Sequence, residues 1–104
     1  MVSAEAINKT RVTGKVYVTG QVRNSGGFDL PAGEALTISK AILRAGGFSD
    51  FSDKRKVRLF RATPAGRETH TVNVQEVLEK GDIEKDIPVQ PGDLIVVPER
   101  LVKW

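Results

Sequence analysis

The strongest candidate for chemistry in this chain is a run of cations near its middle. Residues 54–56 are all basic, and Arg58 and Arg61 follow them. On a β-strand, Arg58 would share a face with Phe60, which places a cation beside an aromatic ring. Such a surface can bind an acidic ligand, either a polysaccharide or a nucleic acid. The simpler interpretation is a solvated face, which would also protect the strand from aggregation if it lies at a sheet edge.

A second basic position lies in the turn after the first predicted strand. Arg23 and Asn24 occupy this turn, and loops carry binding groups more often than regular elements do. Five residues therefore form the candidate surface for a ligand or partner: Arg23, Asn24, Arg55, Arg58 and Arg61.

No constellation of residues indicates catalysis, a metal centre or a cofactor. His70 is the only histidine and cysteine is absent, so neither a histidine pair nor a thiolate site can form. Asp50 and Asp53 flank two residues, but calcium loops present more oxygen ligands at tighter spacing. No serine lies in a nucleophile-elbow context. We therefore expect a protein that is not an enzyme and that needs no cofactor.

Positive and negative charges are also separated along the chain. An acidic stretch follows the basic run by some twenty residues, and opposed patches suit head-to-tail contact between like subunits in a ring. The acidic residues are Glu76, Glu79, Asp82, Glu84 and Asp86.

These residues need a scaffold, and the first half of the chain predicts a hairpin and a helix. Residues 15–22 alternate as a half-buried strand, with Gly20 marking a bulge or a close backbone approach. A turn at residues 24–27 leads to a returning strand at 28–30. Thr37 is a suitable N-cap for a helix, whose apolar face is formed by Ile38, Ala41, Ile42 and Ala45.

The second half predicts another hairpin and a final strand. Residues 57–63 and 69–74 alternate around a turn, and a short helical segment at 74–80 follows. Residues 94–97 are uniformly apolar, which predicts a central strand covered on both faces. The fold class is therefore α+β, with a mixed sheet of about five strands packed on one main helix.

Length and composition predict one domain without a membrane span. The chain has 104 residues, a net charge of +3 and 28% charged residues. We expect residues 1–14 to form a flexible arm and residues 15–104 to form the domain. The first residues lack a signal peptide, which fits either a cytoplasmic protein or a fragment of a longer exported one. The abrupt C-terminal end favours the fragment.

Several of these segments together resemble the SLBB domain, a soluble ligand-binding β-grasp domain, as it occurs in bacterial polysaccharide export proteins. The likeness spans residues 15–98. Its main carriers are the segments 18–22, 27–30, 41–47, 57–61 and 89–98, the last with the sequence Val-Gln-Pro-Gly-Asp-Leu-Ile-Val-Val-Pro.

The resemblance implies a non-enzymatic periplasmic module of an export protein associated with the outer membrane. Proteins of this type form ring oligomers, so the implied partners are other copies of the parent protein, the inner-membrane export machinery and the acidic polysaccharide. The alternative is a ligand-binding module for sugar or for nucleic acid, as in DNA-uptake relatives of the fold. Nucleic acid is the less expected ligand, because the net charge is only mildly positive.

Overall fold

The computed structural model describes residues 12–33 and 35–100. These residues form five β-strands, two short α-helices and one 3-10 turn. In chain order the elements are β1 (Val12–Gly20), β2 (Gly26–Pro31), α1 (Ile38–Arg44), β3 (Val57–Thr63), β4 (Gly66–Val72), α2 (Val74–Lys80), the 3-10 turn (Ile83–Lys85) and β5 (Leu94–Val97). The predicted α+β class is confirmed.

The five strands form one mixed sheet in the order β2-β1-β5-β3-β4. The two hairpins, β1–β2 and β3–β4, are antiparallel, and β5 joins them by pairing parallel to β1 and antiparallel to β3. This is the arrangement expected of a β-grasp domain. The basic strand β3 is interior, so the suggestion that its charges protect a sheet edge is wrong. The edge strands are β2 and β4.

The first strand starts earlier than predicted. It begins at Val12, which pairs with Pro31, so the last residues of the expected arm belong to the sheet. Residues 1–11 of that arm, and residues 101–104 of the predicted domain, lie outside the described residues. The strand also ends earlier, because Val22 forms only an isolated bridge with Phe48.

Gly20 lies where two backbones approach closely, as the sequence predicts. Its φ is +95°, and a Cβ placed there would lie 2.2 Å from the carbonyl oxygen of Val97. Any side chain at position 20 would therefore separate β1 from β5, the parallel pair at the centre of the sheet.

The hydrophobic core lies between one face of the sheet and the two helices. Val16, Leu59 and Ile95 point from the sheet into the same buried cluster as Ile38 of α1 and Val74 of α2. On the opposite face, Leu94 and Val96 are only half-buried. The prediction that β5 is covered on both faces is wrong for the described residues, because both helices pack on one side.

The N-terminus of α1 is capped by a residue from far along the chain. Thr37 occupies the predicted N-cap position, but its hydroxyl donates to Asp86 (2.8 Å) and does not cap the helix. The Asp86 carboxylate accepts from the backbone N–H of Ser39 (3.0 Å) and from its hydroxyl (2.5 Å). A single carboxylate thus joins the segment before β5 to the start of α1.

Among the described residues, neither helix is long and apolar enough to cross a membrane.

Candidate ligand-binding groove

A groove of about 680 Å³ opens beside the loop that connects α1 to β3. Residues 48–55 of this loop form one wall, and Gln75, Leu78 and Glu79 of α2 form the other, with Arg100 at one end. A second, smaller depression of about 220 Å³ lies beside α2 and shares Arg55, Gln75 and Glu79 with the groove. The volume lies in the range that accommodates small ligands.

The loop is held by backbone hydrogen bonds on three sides. The N–H of Ser49 donates to the carbonyl of Gln21 (3.0 Å), and that of Asp53 donates to the carbonyl of Pro98 (2.8 Å). At the third side, the N–H of Val74 donates to the carbonyl of Lys54 (2.9 Å). A loop anchored in this way presents its side chains in a fixed arrangement.

Phe51 is the most unusual residue of this loop. Its φ is +64°, and it is the one non-glycine residue with a positive φ in the described part of the chain. Its side chain is nevertheless 64% exposed. A left-handed conformation costs a bulky residue about 1–3 kcal/mol and persists where the surrounding structure enforces it, often at ligand sites. The backbone is held by Arg100, whose N–H donates to the Phe51 carbonyl (2.6 Å).

Two further apolar side chains complete the lining. Phe48 packs against the core, and the Lys54 ammonium lies 5.5 Å from the centre of its ring, which is a cation–π contact. Leu78 is exposed on α2. The groove therefore combines aromatic and aliphatic surfaces with charged groups of both signs, the cations of Lys54, Arg55 and Arg100 and the exposed carboxylates of Asp50 and Glu79.

Arg55 provides one of those cations, and Asp53 positions it. The Asp53 carboxylate is buried and accepts the backbone N–H of Arg55 (3.1 Å). The Arg55 Nε lies 3.6 Å from the same oxygen, beyond a hydrogen bond, so its guanidinium remains exposed and able to meet an anion.

The other predicted contact residues lie elsewhere. Arg23 and Asn24 lie against the C-terminal end of α1, where the N–H of Asn24 donates to the carbonyl of Ala45 (2.8 Å); both side chains are exposed. Arg58 is exposed on the sheet face opposite the helices.

Arg61 is part of a buried ion pair. Its Nε and Nη2 donate to the two carboxylate oxygens of Asp93 (3.1 and 2.9 Å), and Nη2 also donates to the carbonyl of Pro88 (3.1 Å). Asp93 is only 1% exposed. The hydrogen bond to Asp93 raises the pKa of Arg61 above its ordinary value, in spite of partial burial. Nε and Nη2 of the guanidinium are thus engaged within the fold.

The five predicted residues therefore do not form one surface, and only Arg55 lines the groove. The sequence analysis did not single out Phe48, which packs against the core. It missed the exposed Phe51 as a site residue, along with Leu78 and Arg100. One signal was available: an aromatic residue at position 51 adjoins the basic run.

No metal centre is evident in the described part of the chain, where no three His, Asp or Glu side chains cluster suitably. His70 lies 3.2 Å from Glu68 on β4, outside the groove. The residues around the groove can therefore bind a ligand by stacking, by hydrogen bonding and by charge.

Comparison with known families agrees with this architecture. A family model described as the SLBB domain matches residues 14–97. The chain belongs to the SLBB domain family. SLBB domains are a family of ligand-binding modules, and the matched region contains the whole sheet from Gly14 onwards, both helices and the groove loop. The resemblance found in the sequence is confirmed at the level of the domain.

Proposed function

We propose that the chain is a non-enzymatic SLBB module of a bacterial polysaccharide export protein, where it contacts neighbouring copies and the exported polysaccharide. The observation that carries the contact with polysaccharide is the exposed Phe51, held at φ +64° over a groove beside Arg55. A conformation with this cost is retained where the position of the ring matters.

The groove suits an acidic sugar. The C–H-rich face of a sugar ring packs on the flat face of an aromatic side chain, which here is Phe51. A sugar carboxylate matches the planar guanidinium of Arg55 or Arg100, which can donate two parallel hydrogen bonds. The polar loop side chains, such as Ser49, can bond sugar hydroxyls.

Such a module would act by holding and guiding the polymer, and it would catalyse no reaction. In the parent protein we place it in the periplasm, associated with the outer membrane and working with the inner-membrane export machinery. Membership in a binding-domain family and the groove geometry support this proposal.

Calorimetric titration with three probes tests the contact with polysaccharide. We expect acidic oligogalacturonate to bind more tightly than neutral maltohexaose or a thymidine oligonucleotide. Arg55→Ala should weaken binding of the acidic probe about tenfold, since one charged hydrogen bond is lost. Lys40→Ala is the matched control, because Lys40 is exposed on α1 away from the groove.

Equal losses in both variants would show general electrostatic attraction and would contradict a defined site. Tighter binding of the oligonucleotide would favour the alternative, a nucleic-acid-binding module.

The export role is tested in the source cell. Deletion of this domain from the parent gene should abolish surface polysaccharide while intracellular synthesis continues. Normal surface polysaccharide after the deletion would contradict the proposal.

A further inference from the structure

Among the described residues that line the groove, Asp53 carries the only buried carboxylate. Its side chain is 9% exposed, whereas Asp50 and Glu79 are exposed. One oxygen of Asp53, Oδ1, accepts the backbone N–H of Arg55 (3.1 Å). The other oxygen, Oδ2, accepts no hydrogen bond from any described residue.

The free oxygen of Asp53 reaches the groove. Within residues 12–33 and 35–100, every buried side-chain oxygen or nitrogen has a hydrogen-bond partner. Because Oδ2 has none, it is not closed off from solvent, and Asp53 meets the solvent where it lines the groove. A carboxylate that is largely removed from water gains most from a donor at its remaining open side. A ligand in the groove can supply that donor.

Arg55 presents the opposite charge next to this carboxylate. Its Nε lies 3.6 Å from Oδ1 of Asp53, and its side chain is 60% exposed. Beyond Nε the guanidinium has further N–H groups, which form a planar fork that matches a carboxylate. The wall formed by residues 48–55 thus holds an acceptor and a donor of opposite charge side by side.

The whole lining carries both signs of charge in equal number. In the described part of the chain, the acidic residues of the lining are Asp50, Asp53 and Glu79, and the basic ones are Lys54, Arg55 and Arg100. The Lys54 ammonium already lies over the Phe48 ring. A ligand with negative charges alone meets like charges as well as opposite ones, whereas a ligand that also carries a cation finds a complement for both.

We propose that the groove selects a zwitterionic sugar, which carries a protonated amino group and a carboxylate a few bonds apart. The ammonium group donates to Oδ2 of Asp53, and the carboxylate accepts from the guanidinium of Arg55. The sugar ring packs on the exposed ring of Phe51. This inference rests on the proposed function, to which it adds the class of sugar and a role for Asp53.

Two sugars that differ in one group test the proposal. Muramic acid has a free amine and a carboxylate, whereas the amine of N-acetylmuramic acid is acetylated and uncharged. NMR titrations of the ¹⁵N-labelled chain at pH 6, below the ordinary pKa of an amine, give both dissociation constants. Muramic acid should bind at least about tenfold more tightly, because only its ammonium forms a charged hydrogen bond with Asp53. Equal dissociation constants would overturn the proposal.

Asp53→Asn removes the charge but retains an oxygen that can accept the Arg55 N–H. This variant should lose the preference for muramic acid, so that the two dissociation constants converge. If Asp53 only held Arg55 in place, the variant would weaken both sugars alike and their ratio would persist, which would contradict the proposal. Asp29→Asn is the matched control and should keep the wild-type ratio, because Asp29 is exposed on β2 outside the groove.

L-Alanine separates a sugar from a free amino acid as the source of the two charges. It carries both charges but has no ring to pack on Phe51, so it should bind about tenfold more weakly than muramic acid. Equally tight binding of alanine would make the ligand an amino acid and would refute the assignment to a sugar.

The same titrations distinguish this inference from the proposed function. Oligogalacturonate has carboxylates without amines, and Asp53→Asn should bind it more tightly than the wild type, since a like charge beside the site is removed. If oligogalacturonate shifts residues 48–55 and muramic acid binds no better than its acetylated form, the proposed function stands and the inference is wrong. If neither oligogalacturonate nor muramic acid shifts these residues, the contact with polysaccharide in the proposed function fails as well.

Discussion

Two arginines, one within strand β3 and one just before it, meet opposite environments. Arg61, within the strand, forms a buried ion pair with Asp93, whereas Arg55, before the strand, lies exposed at the edge of the groove. Arg61 and the segment 86–93 form one region, which we call the anchored end. The groove beside residues 48–55 is the second region.

The anchored end is held to the rest of the fold by side-chain hydrogen bonds. Asp86 caps α1, Pro88 and Asp93 accept from Arg61, and the N–H of Gln90 donates to the Asp93 carboxylate (2.7 Å). The polar groups in these contacts are used within the chain. At the groove, by contrast, a phenylalanine is exposed in a strained conformation and a guanidinium is not fully bonded. The difference shows that the partner of a charged residue determines its role, and that the residue type alone does not.

The comparison predicts its largest effect at Asp93. Asp93→Ala would leave the Arg61 guanidinium largely buried without its carboxylate, and we expect a loss of about 3–5 kcal/mol in the free energy of unfolding. Urea denaturation measures this loss. Arg55→Ala is the control in the other region and should change stability by less than about 0.5 kcal/mol.

Asp93→Ala could unfold the chain, so a second variant accompanies it. Arg61→Met/Asp93→Leu replaces both charges with apolar groups and should recover part of the lost stability. A cost below about 1 kcal/mol for Asp93→Ala would contradict a structural role for the pair.

Asp86 should give the next largest effect. Asp86→Ala removes the acceptor for Thr37 and Ser39 at the start of α1, which should cost about 1–2 kcal/mol. Asp50→Ala, at an exposed position in the groove, should be close to neutral. Thermal unfolding compares the two, and similar shifts in Tm would remove the proposed distinction between the regions.

Phe51 sharpens the comparison by separating stability from binding. Phe51→Gly relieves the strain at φ +64° and removes an exposed ring, so stability should stay unchanged or rise by up to about 1 kcal/mol. Binding of oligogalacturonate should be lost. Denaturation and calorimetry on one sample measure both quantities, and a variant that is destabilised but still binds would reverse our interpretation of this residue.

The smallest effect concerns the surface ion pair between Lys85 and Glu76. The hydrogen bond from Lys85, together with its charge, lowers the pKa of Glu76 below its ordinary value of 4.5. A lowered folded-state pKa means that the pair stabilises the fold above pH 4.5 and that this contribution is lost as the pH falls through the folded-state value.

Lys85 is exposed and Glu76 is only half-buried, so the effect should be small and should weaken further in salt. Tm measured between pH 6 and pH 3 in low salt should fall slightly less for Glu76→Gln than for the wild type. Identical pH profiles would show that the pair contributes nothing to stability.

The fold was predictable because apolar residues recur with regular periods. Val57 and Leu59 alternate along β3, and Ile38, Ala41 and Ile42 form one helical face, as the structure confirms. Within residues 12–33 and 35–100, β5 is covered on one face and not on both as predicted. The apolar pattern of a strand shows which residues it can bury, but it does not identify the element that covers them.

The candidate site was much less predictable. Arg61 shares a face with Leu59, and a cation on a buried face requires a partner, but Asp93 lies far along the chain and meets it only through the register of β3 and β5. Phe51 lies in a loop without a period, where neither its positive φ nor its exposure can be deduced from the neighbouring residues.

The most direct test of the groove as the ligand site is a titration of the ¹⁵N-labelled chain with oligogalacturonate, followed by amide chemical shifts. We predict saturating shifts at residues 48–55 and at Gln75, Leu78 and Glu79, with residues 86–93 unchanged. Saturating shifts at residues 86–93, or weak shifts spread over all basic residues that vanish in moderate salt, would contradict the assignment.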